Sequence, residues 1–293
     1  MSKRLVWLIT GTSSGVGQEL AVAALDRGDQ VIATARARSF DMLASLKKKG
    51  ASVVELDVTA PLEKLESIAA DAVKIYGRVD VLVNNAGAGT TPGVLEDLTP
   101  DDTLHQFNTN LFGPLNVTRA FLPYMRERES GTIAWIGSGA AYSLIPNHAL
   151  YCATKAAMIR ISEALNVELQ PFKIRSICFD LGWYRTDALR PDRYQPLVQR
   201  ISAYKQMAEE FDAVLRNSYM TQRGDPAKAA RLLVQILRGE GVAEGREIPS
   251  RLPIGGDAYD LIKEDAVNSL ERIEEWKEVI STTDADEEKA SNL

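Results

Sequence analysis

Thr10-Gly11-Thr12-Ser13-Ser14-Gly15-Val16-Gly17 is the stretch that decides the fold of this chain. An apolar strand-like run, residues 4–10, leads into it, and a helical segment opening with Gln18-Glu19-Leu20 leaves it. A strand, a glycine turn and a helix N-terminus together form a pyrophosphate site. Backbone N–H groups and the helix dipole face the anion, and the missing Cβ atoms permit close approach. A phosphate loop of the NTPase type needs Gly-Lys-Ser/Thr after its second glycine; Gly15-Val16-Gly17-Gln18 stands there instead, which argues against ATP hydrolysis. The spacing Gly-x-x-x-Gly-x-Gly also departs from the usual dinucleotide fingerprint, Gly-x-Gly-x-x-Gly.

Outward from this turn, short apolar runs alternate with longer amphipathic segments to about residue 240, the pattern of βα units around a parallel sheet. Strands are expected at 4–10, 30–35, 51–58, 79–83, 131–138 and 174–180, with 245–254 as a seventh. Their continuous hydrophobicity points to burial on both faces. Helices are expected at 15–27, 40–49, 62–76, 102–128, 149–171 and 226–238. The fold class is therefore α/β, a single Rossmann domain over residues 1–255 whose doubly wound parallel sheet carries helices on both faces. Ligands are expected at the carboxyl ends of its strands. Residues 186–223, with Pro191, Pro196 and many charges, read as helical excursions forming a lid. Residues 256–293 read as an acidic helical extension with an amphipathic stretch at 267–280 and a disordered end.

With 34 Lys and Arg against 40 Asp and Glu, the formal charge is −6, which offers no field for a nucleic-acid backbone. Two cysteines, Cys152 and Cys178, exclude a disulfide framework and fit a reducing compartment. The first apolar run is too short for a membrane span, so a cytoplasmic protein is expected.

Tyr151 and Lys155 stand i, i+4 at the start of an expected helix, so both project from one face. A tyrosine near its unperturbed pKa of about 10 is a poor base at neutral pH, and a neighbouring ammonium favours the phenolate. Such a pair can shuttle a proton. Ser138 ends the fifth strand, where its hydroxyl can meet a carbonyl oxygen as charge develops there. A serine hydrolase would need Gly-x-Ser-x-Gly, but the residues are Ile136-Gly137-Ser138-Gly139-Ala140, and His105 and His148, the only histidines, are poorly placed for a triad. No metal-binding His-Glu-x-x-His occurs.

Over residues 4–240 the sequence resembles the short-chain dehydrogenase/reductase family, on Thr10-Gly11-x-x-x-Gly15-x-Gly17, Asp57-Val58, Asn84-Asn85-Ala86-Gly87, Asn110-x-x-Gly113, Ser138 and Tyr151-x-x-x-Lys155. Its texture is similar to hydroxysteroid-dehydrogenase-like and retinol-dehydrogenase-like members. The resemblance implies that Gly11, Thr12, Ser13, Ser14, Gly15, Val16 and Gly17 cradle the cofactor. It implies that Asp57 and Val58 hold the adenine edge, and that Asn84, Ala86 and Gly87 line the cleft. Asn110, Ser138, Tyr151 and Lys155 match the catalytic tetrad: Ser138 orients the carbonyl, Tyr151 gives the proton, Lys155 binds the nicotinamide ribose, and Asn110 holds a water that links Lys155 to solvent. After the sixth strand the family usually has Pro-Gly, whereas this chain has Asp180-Leu181-Gly182; Gly182 and Thr186 keep the spacing expected of the grip on the nicotinamide amide.

Arg36 follows the second strand where an acidic residue would select NAD(H), so NADP(H) is the expected cofactor. The substrate pocket is expected to be walled by Tyr142, His148, Trp183 and Tyr184, apolar enough for a bulky hydrophobic ketone, aldehyde or alcohol. The expectation is thus an NADP(H)-dependent oxidoreductase, homo-oligomeric by family analogy, with a cofactor-sensing regulator of little turnover as the alternative.

Overall fold

The computed structural model describes residues 4–89 and 91–285. Its centre is a seven-stranded parallel sheet in the order β3-β2-β1-β4-β5-β6-β7. The strands are β1 Val6–Ile9, β2 Gln30–Ala35, β3 Ser52–Glu55, β4 Val81–Asn84, β5 Gly131–Ile136, β6 Ile174–Leu181 and β7 Arg251–Ile254. From β1 the chain builds outward to β3, then crosses to β4 and builds the other way, so a switch point lies beside β1, where Trp7 pairs both Val31 and Val81. The α/β class read from the sequence is the one observed.

Side-chain alternation sorts the strands into two cores. Trp7 and Ile9 face one side, against α1 (Gly15–Asp26), α2 (Ala44–Lys49) and later α8 (Pro226–Arg238). Val6 and Leu8 face the other, against α3 (Leu62–Tyr76), α5 (Gly113–Glu127) and α6 (Ala149–Glu168). Both faces are covered, which is why these strands carry no polar alternation. One buried ion pair fastens the first core: Asp29 accepts from Arg238 Nη1 at 2.7 Å and from the Trp7 indole at 2.9 Å.

Several boundaries differ from expectation for local reasons. The third strand stops at Glu55, because Asp57 turns the chain by accepting from the Thr59 amide at 2.9 Å and the Thr59 hydroxyl at 2.7 Å. Residues 37–43 form a 3-10 helix ahead of α2. The expected helix 102–128 is three pieces: α4 Pro100–Phe107, opened by a Thr99/Asp102 capping box, a π turn at Asn108–Phe112, and α5. Pro114, which lacks an N–H, and the Asn110 side chain, drawn out to the Ala88 backbone, account for the break. The seventh strand is confined to Arg251–Ile254, after the left-handed Gly245.

Residues 186–223 hold two 3-10 turns and α7 (Lys205–Asn217). The segment is latched to the body where Asp97 Oδ1 accepts from the Arg200 and Ile201 amides, each at 2.9 Å, and where Asn147 Nδ2 donates to Ala208 O at 3.0 Å. The amphipathic stretch expected at 267–280 belongs to a longer helix, α9 Gly256–Glu275, followed by α10 Lys277–Ile280. Residues 286–293, most of the end expected to be disordered, lie outside the described residues. Among the described residues no helix is long and apolar enough to cross a membrane.

Candidate active site

The glycine turn is shaped by bonds that tie β1, β2 and β4 together. The Thr10 hydroxyl donates to Val83 O at 3.2 Å and accepts from the Asn85 and Ala86 amides at 3.0 and 2.9 Å. Thr12, fully buried, reaches Thr34 O through both its amide and its hydroxyl. Asn85 Nδ2 then donates to Thr10 O at 2.8 Å and to Gly11 O at 3.1 Å. Gly11 and Gly15 have φ of +70° and +62°, which side chains rarely adopt, and a Cβ on Gly17 would lie 2.3 Å from Asn85 Nδ2. Ser14 caps α1 with no hydrogen bond from its side chain to the helix. The first intrahelical bond, Gln18 N to Ser14 O, leaves the amides of Gly15, Val16 and Gly17 ahead of it at the helix mouth, beside Ser13. This donor set fits a pyrophosphate.

Around the turn, Thr186 sits 3.6 Å from the position a Gly15 Cβ would take. Arg36 lies exposed just beyond β2; burial first, then Arg38, lower its guanidinium pKa, Asp57 opposes them, and the group stays cationic. Val58 is buried, and Asp57 spends one oxygen on the Thr59 turn. Asn84 Nδ2 fastens the sheet to α5 through the Thr118 hydroxyl at 2.9 Å, while its buried Oδ1 has no partner among the described residues. Gly87 faces Asn110: a Cβ there would lie 3.1 Å from Asn110 Oδ1 and 3.7 Å from Lys155 Nζ.

Lys155 is only 5% exposed, and its Nζ donates to Ile136 O at 2.7 Å while standing 5.7 Å from the centroid of the Tyr151 ring. Ser138, two residues past Ile136, accepts from the Ala140 amide at 3.1 Å, so its hydroxyl proton is left to donate elsewhere. Asn110 accepts from Ala88 N at 3.0 Å and donates to Ala88 O and the Thr154 hydroxyl at 3.0 and 3.2 Å. Its side chain is committed to bracing the π turn against the segment after β4.

Of the expected pocket residues, His148 stands edge-on to Tyr151 with centroids 6.5 Å apart and is also packed by Phe211 of α7. Burial lowers its pKa, so its ring is neutral at neutral pH. Trp183, 39% exposed, lines a cavity of about 440 Å³ with Ser218, Thr221, Gln222, Arg223 and one face of α9, including Leu261. The Trp183 amide donates to Asp257 Oδ2 at 2.6 Å, and Gly182 must be glycine because a Cβ would strike the Asp257 carboxylate. Tyr184 turns away from that cavity: its hydroxyl donates to Ile254 O at 2.8 Å and its ring packs on the first core. Tyr142 likewise gives its hydroxyl to buried Asp180, at 2.9 Å. Leu181, with an N–H that proline would lack, lets β6 run on to pair with Ile254. Asn85, Thr154 and Asp180 are given no site role by the sequence, although Asn85 stands in the Asn84–Gly87 motif and Asp180 in the departure from Pro-Gly; the Asn84-Asn85 doublet and the lone acid in Ile177-Cys178-Phe179-Asp180-Leu181 are the available signals.

A Rossmann sheet with a glycine turn at its switch point and a Tyr/Lys pair across it defines a nucleotide-dependent oxidoreductase class. The profile of the short chain dehydrogenase family matches residues 5–196, and the chain belongs to that family, oxidoreductases acting at CH–OH and carbonyl carbons. It is 33% identical over 276 residues to the oxidoreductase BOA17 of Botryotinia fuckeliana, covering 94% of this chain and 97% of that one. The crystal structure of a short-chain dehydrogenase from Streptomyces avermitilis superposes with a TM-score of 0.83 at 35% identity, covering 97% and 100% of the two chains. Actinorhodin polyketide ketoreductase with NADPH gives 0.70 at 28% identity, covering 87% and 98%.

Proposed function

We propose that the protein interconverts a bulky hydrophobic ketone or aldehyde and its alcohol with NADP(H), using Ser138, Tyr151, Lys155 and Asn110. The observation that carries this reading is Lys155 Nζ, buried, held on Ile136 O at 2.7 Å and set against the Tyr151 ring. The helix-mouth amides of the Gly11–Gly17 turn would take the pyrophosphate, and Arg36 the ribose 2′-phosphate. Asp57 and Val58 would border the adenine, with Asn84, Ala86 and Gly87 along the cleft and Gly182 and Thr186 near the nicotinamide amide. When bound, the nicotinamide supplies or accepts the hydride.

In the reductive direction the Ser138 hydroxyl donates to the carbonyl oxygen, and Tyr151 gives that oxygen its proton as charge develops there. Lys155 Nζ spends one of its three N–H donors on Ile136 O, and the other two would serve the nicotinamide ribose and Tyr151. Because both Asn110 Nδ2 donors are taken by Ala88 O and Thr154, any water it holds beside Lys155 would donate to it, at the Asn110 main-chain carbonyl or the second lone pair of Oδ1. Trp183 and Leu261 would offer apolar surface to the substrate, in a cavity whose size falls in the range of small-molecule sites and whose other lining side chains are polar or charged. Tyr184 and Tyr142, with hydroxyls spent on the fold, are left out of that wall.

The test is to incubate the purified protein with NADPH and a panel of ketones while following absorbance. Stoichiometric cofactor consumption with bulky ketones is expected; no consumption with any carbonyl compound would favour a cofactor sensor.

A further inference from the structure

Asp180 is fully buried at the carboxyl end of β6, and the reaction proposed above makes no use of it. Its Oδ2 accepts from the Tyr142 hydroxyl at 2.9 Å and its Oδ1 from Cys178 Sγ at 3.5 Å. The same Oδ1 lies against Gly137: a Cβ there would be 2.4 Å from it and 2.8 Å from Cys178 Sγ. Gly137 and Tyr142 bracket the turn that carries Ser138. Within that turn the Ala141 amide donates to Ser138 O and the Tyr142 amide to Gly139 O, both at 3.0 Å. Arg251, 5.6 Å from the Tyr142 ring centroid and 3.6 Å from Glu163, covers the outer face of the tyrosine.

We infer that Asp180 is a positioning residue: with Tyr142 it clamps both ends of the Gly137–Tyr142 turn and so fixes where the Ser138 hydroxyl meets the substrate. This rests on the proposal that Ser138 orients a carbonyl. A short turn closing a strand has few ways to hold a side chain to a fraction of an ångström, and a carboxylate that hydrogen-bonds one end at Tyr142 and packs on the other at Gly137 removes its slack. Fully buried polar groups are costly unless bonded, so an acid in this apolar strand implies a use for those bonds. Burial and Asp180 both raise the Tyr142 hydroxyl pKa, which keeps it a donor across the neutral range. Tyr142, expected from the sequence to touch substrate, thereby acts one step behind it. Gly137 is small for the same reason: any side chain would displace the carboxylate.

The experiment compares Asp180→Ala, Asp180→Asn and Tyr142→Phe with wild type, reading kcat, KM for ketone, NADPH affinity by fluorescence, and hydrogen exchange by segment. The clamp predicts a kcat loss of about 10–100-fold in Asp180→Ala, as a misplacement near 1 Å would give, with NADPH affinity within about twofold. Asp180→Asn, which keeps an acceptor for Tyr142, restores kcat to within about tenfold of wild type, and Tyr142→Phe falls between the two. Amides of residues 138–142 exchange at least about tenfold faster in Asp180→Ala, while β1 and β4 keep their protection. A folded Asp180→Ala with wild-type kcat, or with residues 138–142 protected as in wild type, overturns the clamp. If Asp180→Ala does not fold, the same exchange and kcat readings in Tyr142→Phe decide. Absence of turnover in the wild type sinks the ketone-reductase proposal alone, since the exchange measurement still reads the clamp.

Discussion

Replacing Gly17 by alanine tests whether the cofactor turn is held by packing or merely allowed by it. The new Cβ would stand 2.3 Å from Asn85 Nδ2 and 2.6 Å from Gly11 O, both inside the 3.0 Å that real Cβ contacts respect. The Asn85 amide cannot swing aside freely, because it donates to Thr10 O at 2.8 Å and to Gly11 O at 3.1 Å. Losing those bonds costs about 0.5–1.5 kcal/mol each, and shifting the Gly11 carbonyl adds an overpacking cost of about 1–3 kcal/mol. Alanine returns up to about 1 kcal/mol of helix propensity, so a net loss near 3 kcal/mol is expected, within roughly 1–5. That lowers Tm by about 6–12 °C for a domain of this size. NADPH affinity falls about tenfold or more with the displaced helix-mouth amides, each tenfold being about 1.4 kcal/mol. Calorimetry and fluorescence titration read the two effects. The mechanism is checked by adding Asn85→Ala: if alanine acts by ejecting the Asn85 amide, the double variant is less destabilised than the sum by about 1–3 kcal/mol. Additive losses, or a Gly17→Ala protein with wild-type Tm and affinity, would refute the account.

Tyr151→Phe deletes the transferable proton while keeping the ring beside Lys155 and His148, so kcat should fall by about two to four orders of magnitude with NADPH binding intact; wild-type turnover sinks the assignment. Arg36→Asp should weaken NADPH by about tenfold or more and spare NADH, since only the former carries the 2′-phosphate that the cation would pair; equal effects in parallel titrations contradict the role. His148 has its pKa lowered by burial, so below about 6.5 the unfolded chain binds a proton that the folded chain resists, and stability is lost as pH falls through that value. Urea midpoints at pH 7.5 and 5.5 should therefore drop less in His148→Gln than in wild type; identical drops reject the linkage. Leu104, Phe112 and Val167 are exposed on α4, the π turn and α6, and light scattering at micromolar concentration should give a multiple of the chain mass; a monomer mass rejects homo-oligomerisation.

The helices at 62–76 and 226–238 and the strand at 30–35 were legible to the residue, because each is bounded by a proline, a glycine or a change of hydrophobic period. The π turn was not. The apolar spacing across 102–128 is helical throughout; Pro114 is tolerated in a helix's first turn and so does not by itself announce the break, which needs the tertiary bond between Asn110 and Ala88, 22 residues away. Within the helical extension expected over 256–293, only 267–280 reads as amphipathic, because the first turn of α9 is set by Gly255 at φ +114° and by Ala258, fully buried, rather than by a repeating apolar face. Tyr184 and Tyr142 show the limit for site residues. An aromatic after a strand reads as pocket lining, and only the carbonyl of Ile254 and the carboxylate of Asp180 reveal that their hydroxyls serve the fold.

The arrangement around β5 explains why such short-range motifs can serve a reaction that needs sub-ångström order. Lysine loses about 2 kcal/mol of side-chain entropy when fixed, and here the fixing is done within the fold, by Ile136 O on Lys155 Nζ. One residue on, Asp180 presses Gly137; one further, the Ala140 amide orients the Ser138 hydroxyl. Three successive residues, Ile136, Gly137 and Ser138, are thus each held by a different element: α6, β6 and the turn itself. Disturbing any one of these holds should leave the other two in place. Partial, separable losses in kcat are therefore expected from variants at Asp180 and Tyr142, in contrast with the near-complete loss expected from Tyr151→Phe, which removes the proton itself.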